Sequence, residues 1–91
     1  MNLRQVIEEV FAQPAIPYEP QRHSLKAWAT YCLRDRGFKV VYAQGADFAI
    51  EYQRNKVYFN VTTPREDLDS TMGWIVWDAA TQQTHILLPQ P

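Results

Sequence analysis

The side chains in the middle of the chain that could take part in metal-dependent chemistry fall on two neighbouring stretches. Asp47 and Glu51 lie in the first stretch, and Lys56, Asn60 and Thr62 lie in the second. Carboxylate oxygens bind hard divalent cations such as Mg²⁺ strongly, and the amide oxygen of an asparagine binds them more weakly. The two carboxylates and the amide would suit a divalent-cation site if the fold brings them to one place.

The spacing of these residues limits which of them can share an ion. Asp47 and Glu51 are four positions apart on one face of a predicted strand, which separates them by roughly 13 Å. Lys56 is four positions from Asn60, so only a bent or bulged hairpin would bring this lysine to the acid. A structural alternative is that Asp47 anchors the start of its strand by accepting backbone N–H groups, while the other polar residues form a solvated face.

Two amphipathic helices are predicted before these stretches. In residues 1–13 the apolar side chains recur with helical spacing, and Asn2 with Gln5 forms a capping-box pattern. A second helix is predicted from Ser24 to Arg36, with a serine as its N-cap and a glycine after its end. The three prolines of residues 14–21 predict an extended connector, because proline lacks an amide donor.

The predicted sheet comes from apolar and alternating segments in the second half of the chain. Their β-branched and aromatic side chains favour strands, and strands joined by tight turns pair antiparallel. The segments span residues 38–42, 47–52, 56–62 and, as a final pair of strands, 74–89.

A short third helix is predicted between the third and fourth strands. Thr63 is suited to its N-cap, Pro64 to its first position and Glu66 to its third, and Gly73 would end it. The sequence thus predicts an α+β fold in a single domain over the whole chain, with an α/β core at residues 22–88. About five strands would form a mixed or antiparallel sheet, with two N-terminal helices and one short helix.

Composition and charge disfavour several classes of function. Nine Lys and Arg residues against ten Asp and Glu residues leave a net charge of −1, which disfavours general nucleic-acid binding through phosphate contacts. No apolar run approaches the roughly 20 residues that span a bilayer. The single Cys32 is typical of a protein of the reducing cytoplasm. His23 and His85 lack the spacing of a zinc site.

Aromatic and basic side chains indicate where partners would bind. Trp74 and Trp77 are three positions apart on one strand and face opposite sides of the sheet, which leaves one of them exposed or in an interface. The segment around them has no Lys or Arg, which favours a protein partner or self-association over nucleic acid. Arg22 and Lys26 predict a basic face at the second helix, either solvated or turned towards a duplex.

The middle of the chain resembles the core of restriction-endonuclease-like nucleases of the PD-(D/E)XK type, such as archaeal Holliday-junction resolvases. The resemblance covers about Ser24 to Trp77 and rests on a helix followed by GFKVVY, ADFAIEY and NKVYFNVTT. That family has an acid at the start of the second strand, often after proline, and Glu-x-Lys on the third. Here the acid falls on Asp47, after Ala46, and the Glu-x-Lys positions fall on Asn60 and Thr62.

The resemblance implies a nuclease fold without a working catalytic site. In the family, divalent cations held by carboxylates activate water for phosphodiester hydrolysis. Asn60 cannot offset the charge of a cation, and Thr62 cannot replace the ammonium group. We therefore expect no bound metal or other cofactor, and a non-catalytic binding or protein-interaction module that functions as a dimer or with a protein partner. The alternative is a Mg²⁺-dependent nuclease that acts on DNA through Asp47, Glu51 and Lys56.

Overall fold

Two helices and a five-stranded sheet form in the part of the chain that this computed structural model describes. Residues 2–90 are described, and Met1 and Pro91 lie outside them. The elements are α1 (Leu3–Ala12), α2 (Leu25–Asp35), β1 (Lys39–Val41), β2 (Phe48–Tyr52), β3 (Asn55–Thr62), β4 (Gly73–Asp78) and β5 (Gln83–Leu87). The predicted α+β class with two helices and a mixed sheet is confirmed.

Both helices begin at the residues that the sequence predicts. Asn2 Oδ1 accepts the N–H of Gln5 at 2.9 Å, and the Gln5 side chain accepts the N–H of Asn2 at 3.2 Å, which completes the capping box. Ser24 Oγ accepts the N–H of Ala27 at 3.1 Å at the start of α2. Gly37 follows α2 with a φ of 95°, a conformation that glycine adopts without a steric cost. Neither helix has the length and apolar character that crossing a membrane requires.

The order of the strands in the sheet is the same as their order in the chain, β1-β2-β3-β4-β5. Neighbouring strands are antiparallel except β3 and β4, which run parallel. The hairpin of β2 and β3 turns at Gln53 and Arg54, whose φ values of 50° and 69° are those of a two-residue type I′ turn. This turn sets the register that places Phe48 opposite Phe59.

Both helices pack on one face of the sheet. Helix α1 contacts β5 and helix α2 contacts β1 and β3, and their apolar side chains meet those of the strands in one core. Because strand side chains alternate, the opposite face carries a second set of residues, and no helix from residues 2–90 covers it. We call this second surface the open face. Its residues on the three C-terminal strands include Tyr58, Asn60, Thr62, Trp74, Val76, His85 and Leu87.

The connector between the helices is packed against the core. The indole N–H of Trp28 donates to the carbonyl of Ile16 at 2.8 Å. Tyr18 lies between two tryptophans, with ring centroids 5.3 Å from Trp28 and 4.7 Å from Trp77. The prolines keep these residues out of a helix, and the aromatic contacts fix the connector in place.

The predicted short helix between β3 and β4 is wrong, since residues 63–72 contain only turns, bends and irregular backbone. The Arg65 guanidinium donates twice to the carboxylate of Asp67, at 3.0 and 2.8 Å. Asp69 Oδ1 accepts the N–H and the hydroxyl of Thr71. Such local bonds compete with those of a helix. Gly73, predicted to end the helix, instead begins β4.

Candidate functional site

Asp47 and Asn60 lie side by side where β2 begins and β3 nears its end. The N–H of Asp47 donates to Asn60 Oδ1 at 2.8 Å. The carboxylate of Asp47 accepts the N–H of Val61 through Oδ2, also at 2.8 Å. We call these two residues the Asp47–Asn60 pair. The two positions that the family resemblance assigns to metal binding are therefore adjacent in space.

The Asp47–Asn60 pair joins two strands through backbone hydrogen bonds. Each side chain accepts one N–H group from the neighbouring strand region, and both residues are half-buried. This is the anchoring role that the structural alternative gave to Asp47. Among residues 2–90 there is no group of three or more His, Cys, Asp or Glu side chains placed to hold a metal ion.

The other candidate catalytic residues lie elsewhere on the sheet. Thr62 lies on the open face of β3 opposite Val76 of β4. Glu51 and Lys56 face each other at the far end of the β2–β3 hairpin. Glu51 also forms an ion pair with Lys39, with 3.0 Å between Nζ and Oε2. The sheet therefore brings Asn60 to Asp47 but leaves Glu51 and Lys56 about one strand length away.

Five surface cavities of about 330 to 420 Å³ are lined by residues outside the Asp47–Asn60 pair. One of about 380 Å³ lies at the β2–β3 hairpin and is lined by Lys39, Glu51, Arg54 and Lys56, among others. Another of about 410 Å³ lies between the connector and β5, with Tyr18, Trp28 and Trp77 in its wall. The wall of the first cavity contains Glu51 and three basic side chains, and the wall of the second contains three aromatic side chains.

Trp74 and Trp77 occupy opposite faces of β4, as their spacing predicts. Trp77 packs on the core side, edge-on to the ring of Tyr18. Trp74 lies on the open face, and its indole N–H donates to the carbonyl of Asp69 at 2.8 Å. Both side chains are half-buried, so each rests partly on the protein and keeps part of its surface accessible.

The most exposed large apolar side chains are three tyrosines and one leucine. Tyr42 is 86% exposed beyond β1, Tyr31 is 52% exposed on α2, and Tyr58 is 42% exposed on the open face. Leu87 is 44% exposed and lies directly opposite Trp74 in the β4–β5 hairpin. Leu87 is not among the residues that the sequence predicts at a binding surface. Counting back from the hairpin turn would have placed it beside Trp74.

Arg22 and His23 make local contacts, whereas Lys26 and His85 are exposed. Arg22 lies in the turn before α2 and forms an ion pair with Glu19 at 3.0 Å, whereas Lys26 is exposed on the helix itself. His23 Nε2 accepts the N–H of Glu19 at 3.1 Å. His85 is exposed on β5. The predicted basic face therefore has one member on α2 and one in the preceding turn.

Shifts in pKa have structural causes. Burial raises the pKa of the Cys32 thiol above its ordinary value of 9.0, and backbone hydrogen bonds from the connector oppose that rise. Hydrogen bonds within 63–72 lower the pKa of Asp67 and of Asp69, through Arg65 and Thr71 respectively. Cys32 belongs to the core, and Asp67 and Asp69 belong to the loop that is present instead of the predicted helix.

The chain was also compared with known proteins. No protein-family model, no curated protein and no solved structure matches it.

Proposed function

We propose that this protein is a non-catalytic protein-interaction module that binds through its C-terminal hairpin, β4–β5. The proposal that the module lacks catalytic activity rests on the Asp47–Asn60 pair. One oxygen of each side chain holds β2 to β3 by accepting an N–H group at 2.8 Å. Only one carboxylate is present, so the pair offers a divalent cation a single negative charge.

The arrangement of the middle strands supports a degenerate restriction-endonuclease-like core as the origin of the fold. Helix α2 is followed by β1 and by the β2–β3 hairpin, which is the order on which the resemblance rests. The acid position at Asp47 lies beside Asn60, the position where the family has glutamate. The amide at position 60 brings no negative charge, so the pair has no repulsion between two carboxylates for a cation to offset.

The surface of the β4–β5 hairpin supports the binding role. Trp74 and the exposed Leu87 adjoin each other on the open face, and residues 73–88 contain no Lys or Arg. Aromatic residues are enriched and charged residues are depleted at the centres of protein interfaces. A nucleic-acid surface would instead need basic side chains between the aromatic ones.

A photo-crosslinking amino acid at position 87 tests this proposal. The matched control carries the same group at Tyr31, which is similarly exposed but lies on α2. In cells of the source organism, position 87 should form crosslinks to protein and position 31 should form few. Equal crosslinking from both positions, or crosslinks from position 87 mainly to nucleic acid, would contradict the proposal.

A Mg²⁺-dependent nuclease is the second candidate, and one observation favours it. Asp47 Oδ1 makes no hydrogen bond within residues 2–90, so one carboxylate oxygen is free to approach a cation. Incubation of plasmid or junction DNA with the purified protein and Mg²⁺ or Mn²⁺ tests it. Cleavage that Asp47→Ala abolishes would establish this activity, and cleavage unchanged in that variant would come from a contaminant.

A further inference from the structure

A row of charged side chains crosses three strands near the tip of the β2–β3 hairpin. Lys39 of β1 lies opposite Glu51 of β2, and Glu51 lies opposite Lys56 of β3. Residues directly opposite one another lie on the same face of a sheet, which is here the open face. The row therefore places two lysines roughly 10 Å apart in the backbone, on either side of one carboxylate.

Arg54 adds a third basic side chain from the hairpin turn. Together with the three residues of the row it lines the surface cavity of about 380 Å³ at this hairpin. Lys39 Nζ lies 3.0 Å from Glu51 Oε2, so this lysine offsets the charge of the carboxylate. Neither Arg54 nor Lys56 forms an ion pair or a side-chain hydrogen bond with any of residues 2–90. The cavity thus has two positive charges that no acidic group in the described part of the chain offsets.

The turn holds Arg54 in a conformation that glycine would adopt at lower cost. Its φ of 69° lies in the left-handed region, and Gln53 before it has a φ of 50°. Turns of this type most often have the sequence Asn-Gly or Asp-Gly, whereas this chain has Gln-Arg. A strained residue that also brings a charge to the wall of a cavity indicates a binding role.

We infer that this cavity binds the phosphate group of a small phosphate monoester. A monoester carries nearly two negative charges at pH 7, which matches the two positive charges of Arg54 and Lys56. The planar guanidinium can donate to two phosphate oxygens at once, and the ammonium group acts as a point charge beside them.

Other anionic groups match this cavity less well. Phosphodiesters and single carboxylates carry one negative charge, so they leave one of the two cations without a counterpart. The net charge of −1 for the whole chain also disfavours nucleic acid as the source of the phosphate. The site uses neither β4 nor β5, so it does not depend on the proposed function.

NMR titration of the ¹⁵N-labelled protein tests the site, with methyl phosphate as the ligand. At pH 7 the backbone amide signals of residues 53–56 should shift until the site is saturated. Dimethyl phosphate and acetate carry one charge less and should bind about fivefold more weakly.

Variants of the cavity wall should change this affinity in both directions. Arg54→Gly should raise the dissociation constant about tenfold, and it also relieves the strain of the turn, so weaker binding in this variant cannot come from a less stable fold. Lys56→Gln should raise the dissociation constant about fivefold. Glu51→Gln should lower it about fivefold, because it removes the negative charge and leaves Lys39 without its partner.

Lys26→Gln is the matched control, because it removes one positive charge from an exposed lysine on α2, outside the cavity. It should bind methyl phosphate like the wild type. Signals of residues 53–56 that do not shift, equal affinity for acetate or dimethyl phosphate, or cavity variants that bind like the wild type would overturn the site. The crosslinks from position 87 judge the proposed function separately, because that position lies on β5.

Discussion

Replacing Gly73 by alanine should destabilise the fold because the first residue of β4 has no room for a methyl group. A Cβ at this position would lie 2.7 Å from two ring carbons of Phe59 and 2.9 Å from the carbonyl oxygen of Tyr58. Carbon atoms in contact normally lie about 3.5–4.0 Å apart, so all three neighbours would have to move. Phe59 is fully buried and Tyr58 contributes backbone, so neither can move easily.

The expected cost of Gly73→Ala is about 2 kcal/mol. Overpacking a well-packed core costs roughly 1–3 kcal/mol, and replacing a strand glycine by alanine returns about 0.5–1 kcal/mol of backbone entropy. We place the steric cost at the upper end because two ring carbons and a backbone oxygen are all too close. For a chain of this size, a change of about 2 kcal/mol lowers the melting temperature by roughly 8–16 °C.

Urea unfolding followed by tryptophan fluorescence measures this change. Gly45→Ala is the control: Gly45 has a φ of 84° but no atom within 4 Å of its added Cβ, so only backbone strain of about 1 kcal/mol is expected. In a double variant with Phe59→Leu, the smaller side chain should relieve part of the clash, so the total loss should be less than the sum of the single losses. Gly73→Ala with the stability of the wild type, or strictly additive losses, would refute the steric reasoning.

Three further predictions concern stability. Asp47→Ala should cost about 1–2 kcal/mol because it leaves the N–H of Val61 without its acceptor, and Asp47→Asn should cost less; urea unfolding that shows no loss for Asp47→Ala would contradict the anchoring role. Arg54→Gly should stabilise by about 0.5–1 kcal/mol, because Arg54 adopts a φ of 69° in the hairpin turn; an unchanged or lower midpoint in urea would contradict this expectation. Burial raises the pKa of Cys32, so the folded state holds the thiol proton more tightly than the unfolded chain does. Stability from this source is present below the ordinary pKa of 9.0 and falls as the pH rises above it. In Cys32→Ser this fall should be absent from the urea midpoints measured between pH 8 and 10.

Features set by neighbouring residues could be predicted from the sequence. The capping box of Asn2 and Gln5 and the end of α2 at Gly37 depend on contacts within a few positions, and the structure confirms both. The wrong helix prediction for residues 63–72 also comes from contacts within a few positions. Thr63, Pro64 and Glu66 fit a helix start, but the side-chain bonds made further along this segment favour turns instead.

Features that depend on distant pairing could be predicted only in part. The two-residue turn of the β2–β3 hairpin fixes which residues face each other, so the proximity of Asp47 and Asn60 follows from the sequence once that turn is recognised. The parallel pairing of β3 and β4 does not follow, because it depends on the path of the irregular residues 63–72. The position of Leu87 beside Trp74 depends instead on the β4–β5 hairpin turn, which sets that register locally.

The Asp47–Asn60 pair shows why one substitution changes what this part of the sheet can do. A carboxylate at position 60 would lie beside that of Asp47, and two such groups at close range repel each other unless a cation or a proton offsets their charge. The amide of Asn60 removes this repulsion and accepts the N–H of Asp47 at the same time. The side chain of Asn60 thus takes part in holding β2 to β3.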